Sequence, residues 1–448
     1  MLRSTGLPPG PKGSLIGGSL SQFGAGRLDF FLKVAKEYGD ISSFRLGPRR
    51  IFLVTNPDLI EQVLVTDAKY YIKHFGARAY KPVLGNGLVT SEGDFWLRQR
   101  RLSQPAFLKQ RVQSYAPVMA DLTDHMLEKW KSGSLVDVHD EFSGLTSAIA
   151  LKTLFDLDDS GDRTRFTETL RLAFDLMSLR FRHVVKLPLW ISIGSNRTLN
   201  RSVKELYEVV DGFIAAGRAR TQPGNDLLSR LIAAQDEDGT RMSDRQLRDE
   251  MMTLYLAGHE TTALTLSWSW YLISKHPQVE AKLVAEWNRV LAGRTPTADD
   301  LPNLPYTDAV ITEAMRIYPP VYLLGREATQ NLELGGYRVK KGCTIFMSQW
   351  VNHRDTRYFP NPEQFLPERW EDGLARRIPK YAYYPFGGGA RACIGNTFAL
   401  MEAAIILPAV GQKYCFTTEQ DARIELNPQI TLVPKFGIPS TLKIRTKD

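Results

Sequence analysis

The 448-residue sequence has little cysteine: Cys343, Cys393 and Cys415 are its only three, and none belongs to a C-x-x-C pair. An odd, low count argues against a disulfide framework. It favours a reducing compartment, and we expect a cytoplasmic location. The chain also lacks internal repeats and long low-complexity linkers, so nothing marks a clean cut between domains.

A strong charge of one sign is also missing. The formal net charge is +8, from 57 basic and 49 acidic residues spread along the chain without a long basic block, so no nucleic-acid partner is expected. Only residues 251–274 form a long hydrophobic run, and Glu260 lies near its centre. Because a charge at the bilayer centre costs about 3 kcal/mol, we predict a buried helix there and no transmembrane anchor.

What is present is an ordinary globular composition, with 43% hydrophobic and 24% charged residues. It excludes a wholly disordered chain. Long helical patterns fill the middle of the sequence. Short strand-like runs occur nearer its ends, at 41–46, 51–55, 332–339 and 343–346. The sequence therefore predicts a mainly α fold with small β-sheets, in which a Pro/Gly-rich segment, 1–13, precedes a single domain, 14–448.

The longest helix is predicted from Ser243 to about His276, because Ser243 followed by Gln246 three residues later forms a capping-box pattern. At 1.5 Å per residue this helix is about 50 Å long. A helix that is apolar nearly all round, with one polar cluster halfway, indicates a central helix beside a site. The zinc pattern H-E-x-x-H that starts at His259 fails, since the second histidine is replaced by Ala263.

The segment from Phe386 to Gly395 carries the strongest pattern, with a strand-like run before it (381–385) and a helical one after it (397–407). From Gly387 it also fits G-x-G-x-x-A, a dinucleotide-binding fingerprint, so a nicotinamide-dependent dehydrogenase is an alternative. That fingerprint should open a doubly wound sheet. Too little chain follows for such a sheet.

A thiolate site fits this segment better. Three glycines let the backbone fold tightly and approach a flat cofactor. Cys393 is predicted at the start of a helix, where the positive dipole end lowers a thiol pKa from about 8.5. A thiolate ligates iron, and on haem it favours O–O cleavage. Arg391 can meet a propionate, and Gly395 leaves the haem face free of a side chain. A structural cysteine without cofactor would not explain the glycines.

Two further pairs are weaker signals. Glu313 and Arg316 are three residues apart among apolar neighbours, which allows a buried ion pair in place of the usual solvated one, and Arg369 offers a second arginine. Trp96 and Arg100 share one helical face and can both donate to a carboxylate, including a haem propionate. Ordinary packing is the alternative for this pair.

Four motifs in one order resemble the cytochrome P-450 family, the haem-thiolate monooxygenases. They are Trp96-x-x-x-Arg100, the Ala-Gly-His-Glu-Thr-Thr run at 257–262, Glu313-x-x-Arg316 and Phe386-x-x-Gly389-x-Arg391-x-Cys393-x-Gly395. The resemblance implies that haem b lies between the central helix and the cysteine helix. It further implies that Cys393 is the axial iron ligand and that Thr261, with Glu260, guides protons to dioxygen.

Other roles follow from the same resemblance. Glu313, Arg316 and Arg369 resemble the structural triad that braces the haem core. The cofactor-binding residues are, by family position, Trp96, Arg100, Arg326, Phe386, Arg391 and Gly395. The substrate pocket is lined, again by family position, by the apolar side chains of Val89, Leu254, Ala257, Val321 and Leu324. Residues 170–197 correspond to the lid over the substrate channel, although two helices packing on a core is an equal alternative.

The resemblance implies that the enzyme inserts one oxygen atom from dioxygen into a lipophilic substrate, a fatty acid or a terpenoid-like molecule, using two electrons. The motif variants look like those of soluble bacterial fatty-acid hydroxylases. Since the length holds a haem domain and nothing more, a separate ferredoxin or flavodoxin-type protein is expected as electron donor, and the chain is expected to be a monomer. A peroxide-driven oxygenase and a haem-thiolate isomerase or dehydratase remain as alternatives.

Overall fold

The computed structural model describes residues 6–157, 161–182, 191, 194–222 and 224–445. The long helices of this part of the chain are α1 (Arg27–Tyr38), α2 (Gly93–Ser103), α3 (Ala116–Lys129), α4 (Val138–Phe155), α5 (Gly161–Arg182), α6 (Gly194–Ala219), α7 (Asp244–Lys275), α8 (Pro277–Val290), α9 (Pro305–Ile317) and α10 (Asn396–Gly411). Shorter helices are Leu20–Ala25, Pro57–Glu61, Phe75–Arg78, Lys81–Leu84, Lys109–Gln113, Leu227–Ala233, Gln349–Asn352, Glu368–Glu371 and Leu374–Arg377.

The strands are short. They are β1 (Ile41–Leu46), β2 (Arg49–Val54), β3 (Tyr71–Lys73), β4 (Leu135–Asp137), β5 (Leu324–Ala328), β6 (Leu332–Leu334), β7 (Tyr337–Val339), β8 (Thr344–Met347), β9 (Tyr414–Thr418), β10 (Leu426–Pro428), β11 (Leu432–Pro434) and β12 (Pro439–Ile444). One five-stranded sheet has the order β1-β2-β8-β5-β3, and a three-stranded sheet has the order β4-β12-β9. The predicted mainly α fold with small sheets is therefore confirmed.

The helix predicted from Ser243 is α7, and both halves of its capping box form. The Ser243 Oγ accepts from the Gln246 N–H at 3.3 Å, and the Gln246 Oε1 accepts from the Ser243 N–H at 2.8 Å. Helix α7 packs against α4, α6, α9 and α10, and its C-terminal half buries Trp268 and Trp270. The longest helix thus lies in the hydrophobic core, as its all-round apolar pattern predicts.

Two predicted strands have a different form in the structure. The run 332–339 is a hairpin, β6 and β7, because Gly335 and Gly336 have φ of +57° and +79° and allow a tight turn. The run 381–385 is not a strand, so that prediction is wrong. The N–H of Tyr384 donates to Nε2 of the buried His353, and the Tyr383 hydroxyl donates to the Thr312 carbonyl. Side-chain and helix partners take the place of a neighbouring strand.

The described part of the Pro/Gly-rich segment packs on the first sheet. The Ser43 N–H donates to the Pro9 carbonyl at 2.8 Å, and the Ser43 hydroxyl donates to the Pro8 carbonyl at 2.9 Å. A Cβ on Gly10 would lie 1.9 Å from the Ser43 oxygen, so only glycine allows this close approach. The division between 1–13 and 14–448 stays a prediction.

The predicted lid spans α5 and the start of α6, which pack against each other. Residues 183–190, 192 and 193 of that stretch lie outside the described residues. The Phe174 ring of α5 stacks on Tyr80 with centroids 5.5 Å apart, which ties α5 to the segment before the Lys81–Leu84 helix. In the part of the chain that the structure describes, no helix has both the length and the apolar character needed to cross a membrane.

Candidate active site

The cysteine segment is a tight loop that leads into α10. The Cys393 N–H donates to the Phe386 carbonyl at 2.9 Å, and Gly387 and Gly389 have φ of +71° and +66°. A Cβ on Gly389 would lie 2.0 Å from the Leu64 carbonyl oxygen. The glycines therefore allow the loop to fold and to pack on neighbouring backbone, in addition to leaving room for a flat cofactor.

The side chain of Cys393 is exposed, whereas Cys343 is buried. Desolvation by the neighbouring protein raises the pKa of the Cys393 thiol, while the Gly395 N–H and the Arg100 charge act in the opposite direction. The expected lowering of the thiol pKa by the helix terminus is thus wrong for the protein alone. Helix α10 begins only at Asn396, so Cys393 precedes its N-terminus, and burial has the larger effect.

A second exposed stretch lies on α7. The helix is largely buried from Leu247 onwards, but Ala257 is exposed and residues 258–261 are half-buried. An accessible face in the middle of a core helix requires an open space beside it. The Thr261 hydroxyl donates to the Ala257 carbonyl at 2.8 Å. Within the described residues, no other hydrogen bond of this hydroxyl is found.

Three arginines gather beside the cysteine loop. The Arg391 guanidinium lies over the Trp96 ring, 4.2 Å from its centroid, and it forms an ion pair with Glu92. The Arg100 charge acts on the Cys393 thiol, and the Arg391 charge acts on Arg326. The structure therefore brings together the predicted propionate donors that come from α2, β5 and the cysteine loop.

Among these, Arg326 is the informative one. Its Nη1 donates to the carbonyl of its own neighbour Gly325 at 3.0 Å, and no ion pair of Arg326 occurs among the described residues. Desolvation, together with the Arg391 charge, lowers the pKa of Arg326 to about 10, and the charge of Glu92, which is paired with Arg391, acts in the opposite direction. A half-buried, desolvated guanidinium with no ion pair of its own favours a ligand that brings negative charge. The residues present therefore fit a cofactor that carries carboxylates beside the cysteine.

Glu313, Arg316 and Arg369 form the predicted buried network. Arg316 Nε and Nη2 each donate to a Glu313 oxygen at 2.8 Å, and Arg369 Nε donates at 2.9 Å. Glu313 and Arg316 have no exposed surface. The Trp370 indole N–H adds a fourth bond to Glu313, at 2.8 Å. This network confirms burial of the pair, and it belongs to the α9 core rather than to the open face of α7.

Glu260 is bonded to a segment far from it in the sequence. The Thr431 hydroxyl, in the turn between β10 and β11, donates to the Glu260 Oε1 at 2.8 Å. The carboxylate therefore connects α7 with that turn. Its participation in proton transfer stays a prediction, and Thr261 is the residue on the accessible face.

The predicted pocket residues differ in exposure. Val89 is 38% exposed and Leu254 only 6%, so Leu254 packs in the core under the lid helices. Val321 and Leu324 are half-buried. A Cβ on Gly387 would lie 3.4 Å from a Leu324 methyl, which places Leu324 against the cysteine loop.

The sequence interpretation missed three buried charged groups on or beside the site. Asp249 and Glu250 lie on α7, and Lys73 ends β3; each is at most 9% exposed. The sequence offers a clue to the burial of the two acids, because they directly precede the apolar run 251–274. It offers no clue for Lys73, because the burial of Lys73 depends on a loop distant in sequence.

Glu402 is a fourth missed group. It lies on α10, is 1% exposed, and is the only acid in a helix that is otherwise apolar from Phe398. Burial raises its pKa well above the usual range. A single acidic residue in an otherwise apolar helix is the sequence feature that could have indicated this buried group.

Comparison with known proteins agrees with this geometry. The cytochrome P450 family model matches residues 8–439. The chain is 37% identical to cyclooctatin synthase of Streptomyces melanosporofaciens over 90% of this chain and 88% of that protein. It is 32% identical to pentalenene oxygenase of Streptomyces avermitilis over 88% of each.

Solved structures show the same fold. The haem domain of cytochrome P450DA superposes with a TM-score of 0.91 at 28% identity and covers 99% of this chain and 98% of that one. A cyanobacterial cytochrome P450 with bound retinoic acid gives a TM-score of 0.87 at 26% identity, covering 99% and 100%. The family binds haem b through a cysteine thiolate, uses redox partners and acts on lipophilic substrates. The chain belongs to the cytochrome P450 family and is a haem-dependent monooxygenase.

Proposed function

We propose that this monooxygenase holds haem through Cys393 and oxidises a terpenoid-like lipophilic molecule. The observation that carries the proposal is the half-buried, desolvated Arg326, which forms no ion pair within the described residues and lies with Arg391 beside the cysteine loop. Bound haem supplies the activation of dioxygen and the transfer of one oxygen atom into the substrate.

Four donors would hold the carboxylates of the cofactor. Arg100, Arg326 and Arg391 carry charge, and Trp96 adds an indole N–H. Charge-assisted hydrogen bonds to a carboxylate are stronger than neutral ones, and here the donors are already desolvated, so little reorganisation is needed when the cofactor binds. Cys393, whose side chain is exposed, would give the iron its thiolate.

Thr261 would pass a proton from the accessible face of α7. Its hydroxyl is on the accessible face of α7 and donates to the Ala257 carbonyl, which leaves its oxygen free to accept from water. A hydroxyl that both donates and accepts can order a short water chain, which is a general-acid role.

Thr261→Ala tests this role. The variant should bind substrate and consume reductant, but it should release hydrogen peroxide in place of oxidised product. Thr262→Ala is the matched control, because Thr262 is buried and its hydroxyl donates to Gly258. Full coupling of reductant to product in Thr261→Ala would place the proton route elsewhere.

The substrate class rests on the apolar lining. Val89, Ala257, Val321 and Leu324 keep accessible surface and carry no polar group. Burying an unpaired polar group against them would cost about 1–3 kcal/mol, so a hydrocarbon part of the substrate belongs there. Terpenoid-oxidising relatives favour a terpenoid over a fatty acid.

A binding screen read by haem absorbance decides between the two classes. Compounds that displace water from the iron change the Soret band, and a panel of cyclic terpenes, linear terpenoids and C12–C18 fatty acids covers both. We expect the terpenoids to bind more tightly and to give oxidised products with reductant. A response to small charged molecules alone would reject the lipophilic class. Products formed with hydrogen peroxide but not with dioxygen and reductant would favour the peroxide-driven alternative.

The electron donor is proposed to be a separate, acidic ferredoxin or flavodoxin-type protein. Arg101, Lys109 and Arg111 are exposed, and a Cβ on Gly395 would lie 3.8 Å from the ring of Phe107. The basic residues therefore lie close to the cysteine side of the site, where a donor has the shortest path to the cofactor.

A further inference from the structure

The loop at 85–91 lies directly on α7, and its glycines add no side chain to the contact. A Cβ on Gly85, whose φ is +62°, would lie 2.0 Å from Asp249 Oδ1. A Cβ on Gly87 would lie 2.3 Å from the Thr253 Oγ1 and 2.4 Å from the Asp249 carbonyl oxygen. The two glycines therefore permit a contact that any larger residue would push apart.

Two buried, oppositely charged side chains hold Leu88 in this loop. The Leu88 N–H donates to Glu250 Oε2 at 3.0 Å, and the Leu88 carbonyl accepts from Lys73 Nζ at 2.7 Å. Glu250 has no exposed surface and Lys73 is 9% exposed. Both backbone polar groups of one residue thus have charged partners, and such bonds are the stronger kind.

Glu250 and Lys73 each stabilise the charged form of the other. Burial raises the pKa of Glu250 to about 7 and lowers that of Lys73 to about 7, and the charge of each opposes the shift of the other. Glu250 also accepts from the Gln99 side chain at 3.2 Å, and Lys73 also donates to the Ser91 carbonyl at 2.8 Å.

The residue after Leu88 is the exposed one. Val89 is 38% exposed, although Leu88 and Thr90 on either side are buried. The Thr90 hydroxyl donates across the loop to the Gly85 carbonyl at 2.7 Å. Arg391 donates to the Ser91 carbonyl at 3.4 Å, so the loop is fixed to the cysteine segment as well as to α7. Val89 therefore has little freedom to shift.

We infer that Glu250 and Lys73 are positioning residues that hold Leu88 between them, fix Val89 above the cofactor and so determine which substrate carbon is oxidised. Neither side chain touches the substrate; both act through the backbone of the 85–91 loop. The inference rests on the proposed function, because it takes Val89 as a wall of the substrate pocket.

The test uses phenyldiazene, a probe that needs no knowledge of the substrate. It places a phenyl group on the haem iron, and oxidation then moves the phenyl to one of the four pyrrole nitrogens, chiefly to those under open space. The ratio of the four products therefore maps the walls above the haem. It is measured on the full, haem-loaded chain, with haem content taken from the carbon monoxide spectrum.

Glu250→Gln and Lys73→Met should each change this ratio several-fold in the same direction as Val89→Ala. Gly87→Ala should do the same without altering any charge, so the prediction stays testable if a charge variant fails to load haem. Glu286→Gln is the matched control. Glu286 is also a buried carboxylate, and it accepts hydrogen bonds from the backbone N–H groups of Tyr306 and Thr307. The Glu286→Gln variant should give the same ratio of the four phenyl products as the wild type.

A double-mutant comparison adds a second readout. In the Val89→Ala background, Glu250→Gln should change the product ratio little further, because the effects of residues that act through one another are not additive. In the Val321→Ala background, Glu250→Gln should change the product ratio as much as it does in the wild type. Normal haem content with an unchanged ratio in Glu250→Gln, Lys73→Met and Gly87→Ala would overturn the inference. A wild-type protein that forms no phenyl–iron species would instead overturn the proposed function.

Discussion

Two clusters of arginines differ in how completely the chain itself satisfies them. In the first, Arg316 and Arg369 surround Glu313, and the remaining Arg316 donors reach the carbonyls of His353, Pro362 and Gln364. In the second, the half-buried cluster beside the cysteine loop, Arg391 has Glu92, but the hydrogen bond of Arg326 found within the described residues is to a carbonyl of its own strand. The first network is complete without a ligand, and the second is not.

The difference separates stability from function. A buried charge that is fully paired is tolerated, whereas one left alone costs several kcal/mol. A chain that keeps the incomplete cluster is therefore expected to complete it with a ligand, here the carboxylates of haem. We expect the α9 cluster to stabilise the core in the absence of cofactor, and the cysteine-side cluster to act when haem is bound.

The largest effect is expected from Cys393→Ser. If the incomplete cluster serves a thiolate-bound haem, this variant should lose entirely the red-shifted Soret band that reduced protein shows with carbon monoxide. The controls Cys343→Ser and Cys415→Ser should keep it, since Cys343 is buried at the first sheet and Cys415 lies on β9. An unchanged spectrum in Cys393→Ser would remove the basis of the comparison.

The complete cluster is broken by Glu313→Ala. The change leaves Arg316 buried without its carboxylate, and removing one partner of a buried pair costs about 3–5 kcal/mol out of a total stability of about 5–15 kcal/mol. A lower midpoint of denaturant unfolding and little haem-loaded protein are expected. Glu363→Ala is the control, because Glu363 pairs with Arg354 but its side chain is 70% exposed. Equal midpoints for the two variants would contradict the assignment.

Arg326→Met sharpens the comparison. Without haem, the variant removes a half-buried charge that has no ion pair, so the unfolding midpoint of the apoprotein should stay equal or rise. With haem, it loses a charge-assisted bond of about 1.5–3 kcal/mol, so haem should dissociate roughly ten- to a hundredfold faster. Arg316→Met should lower the apoprotein midpoint and also speed the loss of haem. The two readouts are the unfolding midpoint of the apoprotein and the rate of haem transfer to an acceptor protein.

If Arg326→Met lowered the apoprotein midpoint as much as Arg316→Met does, the two clusters would not differ in kind. The cysteine-side arginines would then be part of the core, and the fit to a cofactor would lose its main support.

The sequence was informative where the relevant contacts are local. The ends of α7 follow from Ser243, Gln246 and Pro277, because a capping box acts within one helical turn. Burial of Glu313 and Arg316 follows from their apolar neighbours on α9. The cysteine loop follows from its glycines and Cys393. In each case, the residues that determine the structure are within about ten positions of one another.

The sequence was uninformative where burial or bonding depends on distant segments. The run at 381–385 has a strand-like composition, but His353 takes the backbone N–H that a strand would use. The thiol pKa of Cys393 depends on the protein packed around it rather than on the helix terminus alone. The hydrogen bond from the Leu88 N–H to Glu250 joins residues 162 positions apart, and no local sequence pattern predicts it.

The smallest predicted effect is on the rate of electron transfer to the haem, and it concerns a third set of basic residues, which are exposed. Arg98 does not belong to it, because it forms an ion pair with Asp236 at 2.5 Å. Arg101, Lys109 and Arg111 remain, and no ion pair engages them in the part of the chain that the structure describes. Exposed charges act mainly on the association rate and are screened beyond about 10 Å at 0.1 M salt.

Reduction by an acidic ferredoxin should therefore slow as salt is raised, and Lys109→Glu or Arg111→Glu should slow it at low salt by a few-fold while leaving haem content and the unfolding midpoint unchanged. Arg98→Gln is the control and should keep the wild-type salt dependence, because its charge is already neutralised by Asp236. The measurement is the stopped-flow rate of haem reduction under carbon monoxide at two salt concentrations. Equal rates at both would show that these exposed basic residues take no part in docking the electron donor.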